Sequence, residues 1–405
     1  IKESIDFSFK DGVIILEKYK NIKKELVDIR RQIHKYPELG FQEFRTSKLI
    51  KRELERVGVE VKDKVAKTGV VGLITGSNKG KKTVAIRADM DALPIQEKTN
   101  KPCASKISNV MHACGHDAKI AIVLGVAKVL SKMRGELKGN VKFIFQPNEE
   151  GSGGAKLMIK EGVLENPKVS AIFSVDFDPY LKSGKIGIRE GMFFANIDSF
   201  EISIFGKGGH GGRLYRAVDV MLVSAKVIEA LQYYLPRRFH PCVPLAVSFG
   251  EIKAGSVPNV IPDTVVMKGT IRTFTEDVRR ELKRKIEEIV EGICRIYKAD
   301  YRIDYFSSYP GCANNSELNK IVEKVAKKIV GTKNIYKYQY PFFESEDISY
   351  FFRKVPGTVF SLGIRNTKKG IIYPAHSPYF DIDEDVLPIG VVVLTGCLIE
   401  YLDNQ

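Results

Sequence analysis

Ser199-Phe200-Glu201-Ile202-Ser203-Ile204-Phe205 reads as a strand, and the elements after it in the chain decide the fold. A long helical stretch, Ala217 to Tyr234, comes next. Two strands come after it at Leu245 to Ile252 and Val265 to Thr273, then a helix at Val278 to Tyr297 and a strand at Tyr301 to Phe306. The order β-α-β-β-α-β is the split arrangement of a ferredoxin-like domain.

Working outward, both flanks have a different rhythm. Upstream, two helices (Glu17 to His34 and Glu43 to Val57) are separated by Tyr36-Pro37-Glu38-Leu39-Gly40. Buried strands at Val70 to Thr75, Thr83 to Ile86, Val141 to Phe145 and Ala171 to Val175 then alternate with helices at His116 to Met133 and Gly154 to Leu164. Downstream of Pro310 a helix (Leu318 to Ile329), a strand (Thr358 to Leu362) and a closing helix (Val386 to Leu402) resume that pattern. The expected fold is α/β: a catalytic domain with a mainly parallel sheet and helices on both faces, built from residues 1–194 and 309–405. The ferredoxin-like α+β lid domain, residues 195–308, is inserted between its two parts. Clefts between such domains are common ligand sites.

At 405 residues the chain exceeds one ordinary domain, and 44% hydrophobic with 28% charged residues excludes collagen-like and disordered classes. No apolar run approaches the ~20 residues a membrane span needs, so no membrane partner is expected. Ile1 to Lys20 has no hydrophobic leader region, and a start at Ile in place of Met suggests a trimmed chain; a cytoplasmic protein is expected. The six cysteines form no CxxC pair, which fits a reducing compartment. The net charge of +15 is scattered, as in Lys79-Gly80-Lys81-Lys82, or alternates with acids, as in Arg279 to Lys285 beside Glu281, Glu287 and Glu288. That is a solvated face, and no nucleic-acid partner is expected.

The chemistry concentrates at strand ends. In Met111-His112-Ala113-Cys114-Gly115-His116-Asp117 a thiol and an imidazole stand two residues apart, a spacing that can grip one divalent metal. Gln146-Pro147-Asn148-Glu149-Glu150-Gly151 places two carboxylates just past a strand, one able to bind metal while the other deprotonates a water. Arg87-Ala88-Asp89-Met90-Asp91 puts acids at another strand end, where Asp89 or Asp91 can fix the tautomer of a ligand histidine. Asp176 and Asp178 follow a third, and His376 lies in a Pro-rich loop before the last helix. Separately each has a bland reading, a buried thiol or a solvated acidic loop; together they point to a metal.

These segments, with Arg30-Arg31…His34…Pro37-Glu38-Leu39-Gly40, Gly206-Lys207-Gly208-Gly209-His210, Asn259 to Asp263, Glu346-Asp347 and His376 to Phe380, run in order over nearly the whole chain. They resemble the two-metal aminoacylase and carboxypeptidase family, in the amidohydrolase branch that includes hippurate hydrolases, indole-acetyl-amino-acid hydrolases and N-acetyl-diaminopimelate deacetylases. The resemblance implies a metal-dependent amidohydrolase that cleaves an N-acyl-amino acid or peptide-like amide through a metal-activated water, with two divalent ions, Zn or Mn. By position it implies that Cys114, His116, Glu150 and His376 bind metal, that Glu149 is the general base, and that His210 polarises the scissile carbonyl. Asn259 and Arg272 would hold the substrate carboxylate, and a homodimer through the lid is implied.

The sequence departs from the branch at three places. Asp176 stands where a ligand histidine is usual, and a carboxylate there keeps a metal position with a harder ligand; loss of one metal is the competing account. Lys119 stands where a histidine is common, one helical turn past His116. A lysine there ordinarily snorkels to solvent, and if it points inward it competes with metal. Leu214-Tyr215 replaces a usual Pro-His in the lid. The alternative to an enzyme is a non-catalytic or single-metal binding protein on the same fold.

Overall fold

The computed structural model describes residues 20–77 and 82–404. The expected start of the first helix at Glu17, the reading of the leading residues and the basic run at Lys79 to Lys81 lie outside the described residues. By their contacts the described residues divide into two compact units, one of those up to 193 with 313–340 and 347–404, the other of 194–312 and 341–346.

The first unit is built on an eight-stranded sheet. Its strands run in the order Glu60–Val65, Gly69–Ile74, Asn140–Gln146, Thr83–Asp89, Val169–Lys182, Gly357–Arg365, Ile186–Ile188, Ile335–Lys337. The three central pairings, from Asn140–Gln146 across to Gly357–Arg365, are parallel, while the first two pairings and that of Gly357–Arg365 with Ile186–Ile188 are antiparallel. Ile335–Lys337 is also parallel to Ile186–Ile188, so four of the seven pairings among the described residues are parallel, in line with the mainly parallel sheet expected, but the edge at Glu60–Val65 is antiparallel. The physical reason is local: Glu60–Val65 and Gly69–Ile74 join through a short turn, which only an antiparallel pair permits. Glu60–Val65 escaped the sequence reading because its Glu, Lys and Asp side chains reach solvent, as suits an edge strand. Thr83–Asp89 and Asn140–Gln146, by contrast, are buried along their whole length.

Helices Lys20–Lys35, His116–Lys132, Ser316–Val330 and Leu387–Asp403 pack with the sheet around one large apolar core. Helix His116–Lys132 meets Leu387–Asp403 closely: a Cβ on Gly125 would sit 2.7 Å from Val391, and one on Gly390 would sit 2.6 Å from Ile122. The stretch Glu384–Asp403 has the length and hydropathy to cross a membrane, which the sequence reading did not anticipate, yet 72% of it is buried inside the fold. A helix apolar on every side suits a core position.

In the second unit the strands Asn196–Phe205, Leu245–Ala254, Thr264–Thr273 and Asp300–Ser307 form one antiparallel sheet, with Asn196–Phe205 and Thr264–Thr273 in the middle. Helices Val220–Arg238 and Glu276–Tyr297 share its apolar core. Asp219 and Thr275 cap these helices with side-chain oxygens on the first-turn amides. The basic run on the second helix is tied to acids: Arg279 grips Asp198 with two 2.7 Å bonds, and Lys285 pairs with Glu288 at 2.6 Å. Residues 341–346 also belong to this unit, because Phe342 and Phe343 pack against Phe194 and Phe274. No periodic signal marked that short return.

Candidate metal centre

Gly115 makes the turn on which the centre depends. Its φ of +81° is left-handed, and a Cβ there would come within 2.8 Å of the Phe177 ring, so glycine alone carries the chain from Cys114 into the helix that His116 begins. His116 is buried and its Nδ1 lies 2.9 Å from the backbone carbonyl oxygen of Asp91. Donation from Nδ1 there leaves the lone pair of a neutral ring on Nε2, which faces Asp89 Oδ2 at 3.2 Å and Glu150 Oε1 at 3.8 Å. Burial works against a charged ring, but the charge of Asp89 and the bond to Asp91 override it and push His116 up to about 9. The same carboxylates that hold a proton there attract a metal cation.

The loop that carries Glu149 and Glu150 is fastened by three buried acids. The backbone amides of Glu149 and Glu150 donate to the two carboxylate oxygens of Asp91, both at 2.9 Å. Asn148, held at a φ of +53°, donates its amide to Glu43 Oε1 at 2.9 Å, and the amide of Ala155 donates to Asp347 Oδ2 at 3.0 Å. Asp347 is itself gripped by Arg87 at 2.8 Å and by Gln146 at 2.7 Å. The sequence reading gave neither Glu43 nor Asp347 a role. An acid whose task is to accept backbone amides leaves no local signature, since its partners lie far along the chain. The tautomer-fixing role expected of Asp89 or Asp91 falls to Asp91, whose carbonyl lies 2.9 Å and whose carboxylate lies 3.6 Å from the same ring nitrogen, and that carboxylate also orders the loop.

One donor group then forms from Cys114, Glu150 and His376, whose ligand atoms lie within 4.8 Å of one another. His376 Nε2 is 3.4 Å from Glu150 Oε1. The backbone of His376 is left-handed (φ +64°), and its amide donates to the Ala113 carbonyl at 2.8 Å, which ties this loop to the turn carrying Cys114. Glu150 Oε1 is buried without a hydrogen-bond partner, an arrangement that costs free energy unless a cation meets it. Burial, with the charge of Glu150 second, pushes the Cys114 thiol well up, so a bound cation is what makes it a thiolate. Thiolate, imidazole and carboxylate together suit a borderline divalent ion, so the residues fit a metal here. Asp89, His116 and Glu149 form another group of the same closeness.

Asp176 joins neither group. Its Oδ1 lies 2.7 Å from Nζ of Lys119, whose ammonium also lies 2.8 Å from Asp89 Oδ2. Lys119 is only 2% exposed: it turns inward where solvent was expected.

In the second unit, His210 sits on the short strand Gly209–His210 opposite Val260, and the Gly211 amide donates to the Asn259 carbonyl at 2.9 Å, so His210 and Asn259 are neighbours. The Gly212 amide donates to His210 Nδ1 at 2.9 Å, which places the proton of the neutral ring on Nε2. Arg272 stands near the far end of Thr264–Thr273, donating to the Phe343 carbonyl at 2.6 Å. It lies eight steps along the strand from Thr264, about 26 Å.

A family model for peptidases M20/M25/M40 matches residues 85–400. The chain belongs to this family. Proteins similar to it include thermostable carboxypeptidase 1 of Saccharolobus solfataricus, 42% identical over 386 residues that cover 93% of this chain and 96% of that one. N-acetylcysteine deacetylase of Bacillus subtilis is 39% identical over 365 residues, covering 90% and 93%. A crystal structure from Bacillus subtilis, described as a dinuclear metal binding peptidase of the M20 family, matches with a TM-score of 0.83 at 36% identity over 95% of this chain and 100% of that one. This M20 chain is a metal-dependent hydrolase of amide bonds, with α and β elements mixed as in its relatives.

Proposed function

We propose that the chain hydrolyses N-acyl-amino acids or dipeptide-like amides, with Glu149 as general base and the second unit as a ferredoxin-like lid. The observation that carries the reading is the pairing of adjacent carboxylates with different surroundings: Glu150 shares a donor group with Cys114 and His376, while Glu149, 6% exposed, is aimed by the Asp91-bound backbone. When bound at Cys114, Glu150 and His376, with His116 beside them, a divalent ion such as Zn²⁺ or Mn²⁺ supplies Lewis acidity. Glu149 accepts a proton from the attacking water at its carboxylate and returns it to the leaving nitrogen. Asp91 holds Glu149 in place throughout, so no reorganisation is needed at the moment of reaction.

His210, with its proton on Nε2, is suited to donate to the oxyanion as the amide carbon becomes tetrahedral. Asn259 beside it and Arg272 are the groups for the substrate carboxylate. The two ends of one sheet are too far apart for His210 and Arg272 of the same unit to reach one small substrate. That separation supports a homodimer in which each site draws His210 and Asn259 from the neighbouring copy. A cytoplasmic, reducing setting keeps Cys114 available as a ligand.

The test is a screen of acetyl-, benzoyl- and indole-acetyl-amino acids with Zn²⁺, Mn²⁺ and Co²⁺ added separately. Turnover that a chelator abolishes and metal restores is the expected result; tight binding of these compounds without turnover under every metal would leave the binding-protein alternative. For His210→Ala, kcat should fall about 10²–10³-fold, in line with loss of one oxyanion donor. Metal content by elemental analysis should stay at the parent's value, and activity within a few fold of the parent would return His210 to a structural role.

A further inference from the structure

The charges around the second donor group do not fit a second metal ion. Lys119 extends from the first turn of helix His116–Lys132 into the interior, 2% exposed, and its ammonium lies 2.8 Å from Asp89 Oδ2 and 2.7 Å from Asp176 Oδ1. Asp89 Oδ2 is also the oxygen that His116 Nε2 faces at 3.2 Å. The other oxygen of Asp89 pairs with Nη1 of Arg87, which is likewise buried. One carboxylate is thus met by a lysine, an arginine and an imidazole, and Asp176 by the lysine. The ammonium and a divalent ion cannot share these two oxygens: at the ~4 Å spacing of adjacent cation positions, Coulomb repulsion in a poorly screened interior is severe.

The arrangement at Glu150 is different. Its Oε1, like Asp89 Oδ1, is buried with no hydrogen bond, but where Asp89 meets the fixed charges of Arg87 and Lys119, the basic groups Glu150 Oε1 faces among the described residues are two imidazoles, His376 at 3.4 Å and His116 at 3.8 Å. One position invites a cation, and the other already contains one.

We propose that Lys119 is a resident cation that takes the place of a second metal ion, leaving a mononuclear centre on Cys114, Glu150 and His376. In this arrangement Asp176 is the partner of Lys119 and not a metal ligand. This rests on the hydrolase reading above and refines its metal count. The ammonium carries one positive charge where a divalent ion carries two, so Asp89 and Asp176 are neutralised without a metal. Glu149, whose group with Asp89 and His116 would otherwise hold the second ion, then acts on the water as a base and not on a metal as a ligand.

The test counts ions. The purified parent protein is dialysed against Zn²⁺ or Mn²⁺ and its metal measured by elemental analysis and by titration calorimetry. Crystals soaked in Mn²⁺ are examined for anomalous peaks. The parent is expected to bind one ion per chain, with a peak beside Cys114, Glu150 and His376 and none within coordination distance of Asp176. Lys119→Met, which keeps the length and removes the charge, is expected to raise the count to two, and Asp176→Asn in the parent background to leave it at one. Two ions in the parent would overturn the proposal and leave the hydrolase reading standing. One ion in both parent and folded Lys119→Met would also overturn it, since the lysine would not be what excludes the second. No ion in the parent, together with no hydrolysis, would overturn the hydrolase reading as well. Should Lys119→Met fail to fold, the parent's ion count and peak positions decide the matter.

Discussion

Glu149→Gln is expected to lower kcat by about 10²–10⁴-fold, the contribution of a positioned general base, while metal content stays at the parent's level. The substitution keeps the shape of the side chain, and the amides that Asp91 holds are backbone groups, so the loop stays in place. The neighbouring substitution separates the two roles. Glu150→Ala removes the buried oxygen that faces His376 and His116, and should lose metal and activity together. Elemental analysis and steady-state kinetics on both variants check the division. If Glu149→Gln lost metal as Glu150→Ala does, Glu149 would be a ligand and the base would have to be sought elsewhere.

Asp117→Asn should destabilise the metal-free protein by about 3–5 kcal/mol, the scale for removing one partner from a buried ion pair. Asp117 is fully buried and accepts from Arg30 Nε at 2.9 Å and from His34 Nδ1 at 2.8 Å, while Arg30 also reaches Asp381 at 2.6 Å and Glu384 at 2.9 Å. The variant leaves a buried guanidinium and imidazole facing a neutral amide. The effect has a pH signature. Burial disfavours a charged His34, but the charge and hydrogen bond of Asp117 outweigh it and raise its pKa above 6.5. The stabilisation from protonated His34 is therefore complete below the unfolded value, ~6.5, and is lost as pH rises through the folded one.

Asp117 shifts the other way: burial disfavours its charge, yet Arg30 and His34 hold it below the usual carboxylate range. Its contribution is present above ~3.9 and fades only as pH falls toward the depressed value. The difference between parent and variant should thus be largest from about pH 4 to 6.5 and shrink above that window. Urea unfolding at pH 5, 6 and 8 in the presence of chelator measures it. A difference that stayed constant from pH 5 to 8 would show that His34 is not coupled to Asp117.

Much of the centre was legible because its parts are local in the chain. Cys114, Gly115 and His116 are consecutive, so the turn that delivers a thiol to one donor group and an imidazole to the other is a property of three residues, although the expected grip of both on one ion is not what the two groups show. Glu149 and Glu150 come just after an apolar run that has to be a buried strand, and a buried strand in an α/β sheet delivers the residues beyond it to the sheet's end. Asp89 and Asp91 were placed by the same reasoning. The work those acids do was less legible: Asp91 meets a histidine ring as expected, and its carboxylate also accepts two loop amides. Glu43 and Asp347 went unread because their work depends on amides more than a hundred residues distant.

Sequence by itself determined the order of elements, including a β-α-β-β-α-β run set between two α/β stretches, because side-chain periodicity and Gly and Pro breaks act over a few residues. It determined the chemical types at the centre for the same reason. Tertiary structure alone decided that residues 341–346 return to the second unit through Phe342 and Phe343. It alone decided the direction of Lys119. A lysine on a helix has a solvent rotamer and an interior one, and nothing within a few residues of Lys119 selects between them. Asp89 lies 30 positions back along the chain, and Asp176 is further off on another strand. Only when the sheet sets their strands side by side do the two carboxylates create a field strong enough to draw the ammonium inward against the cost of burying it.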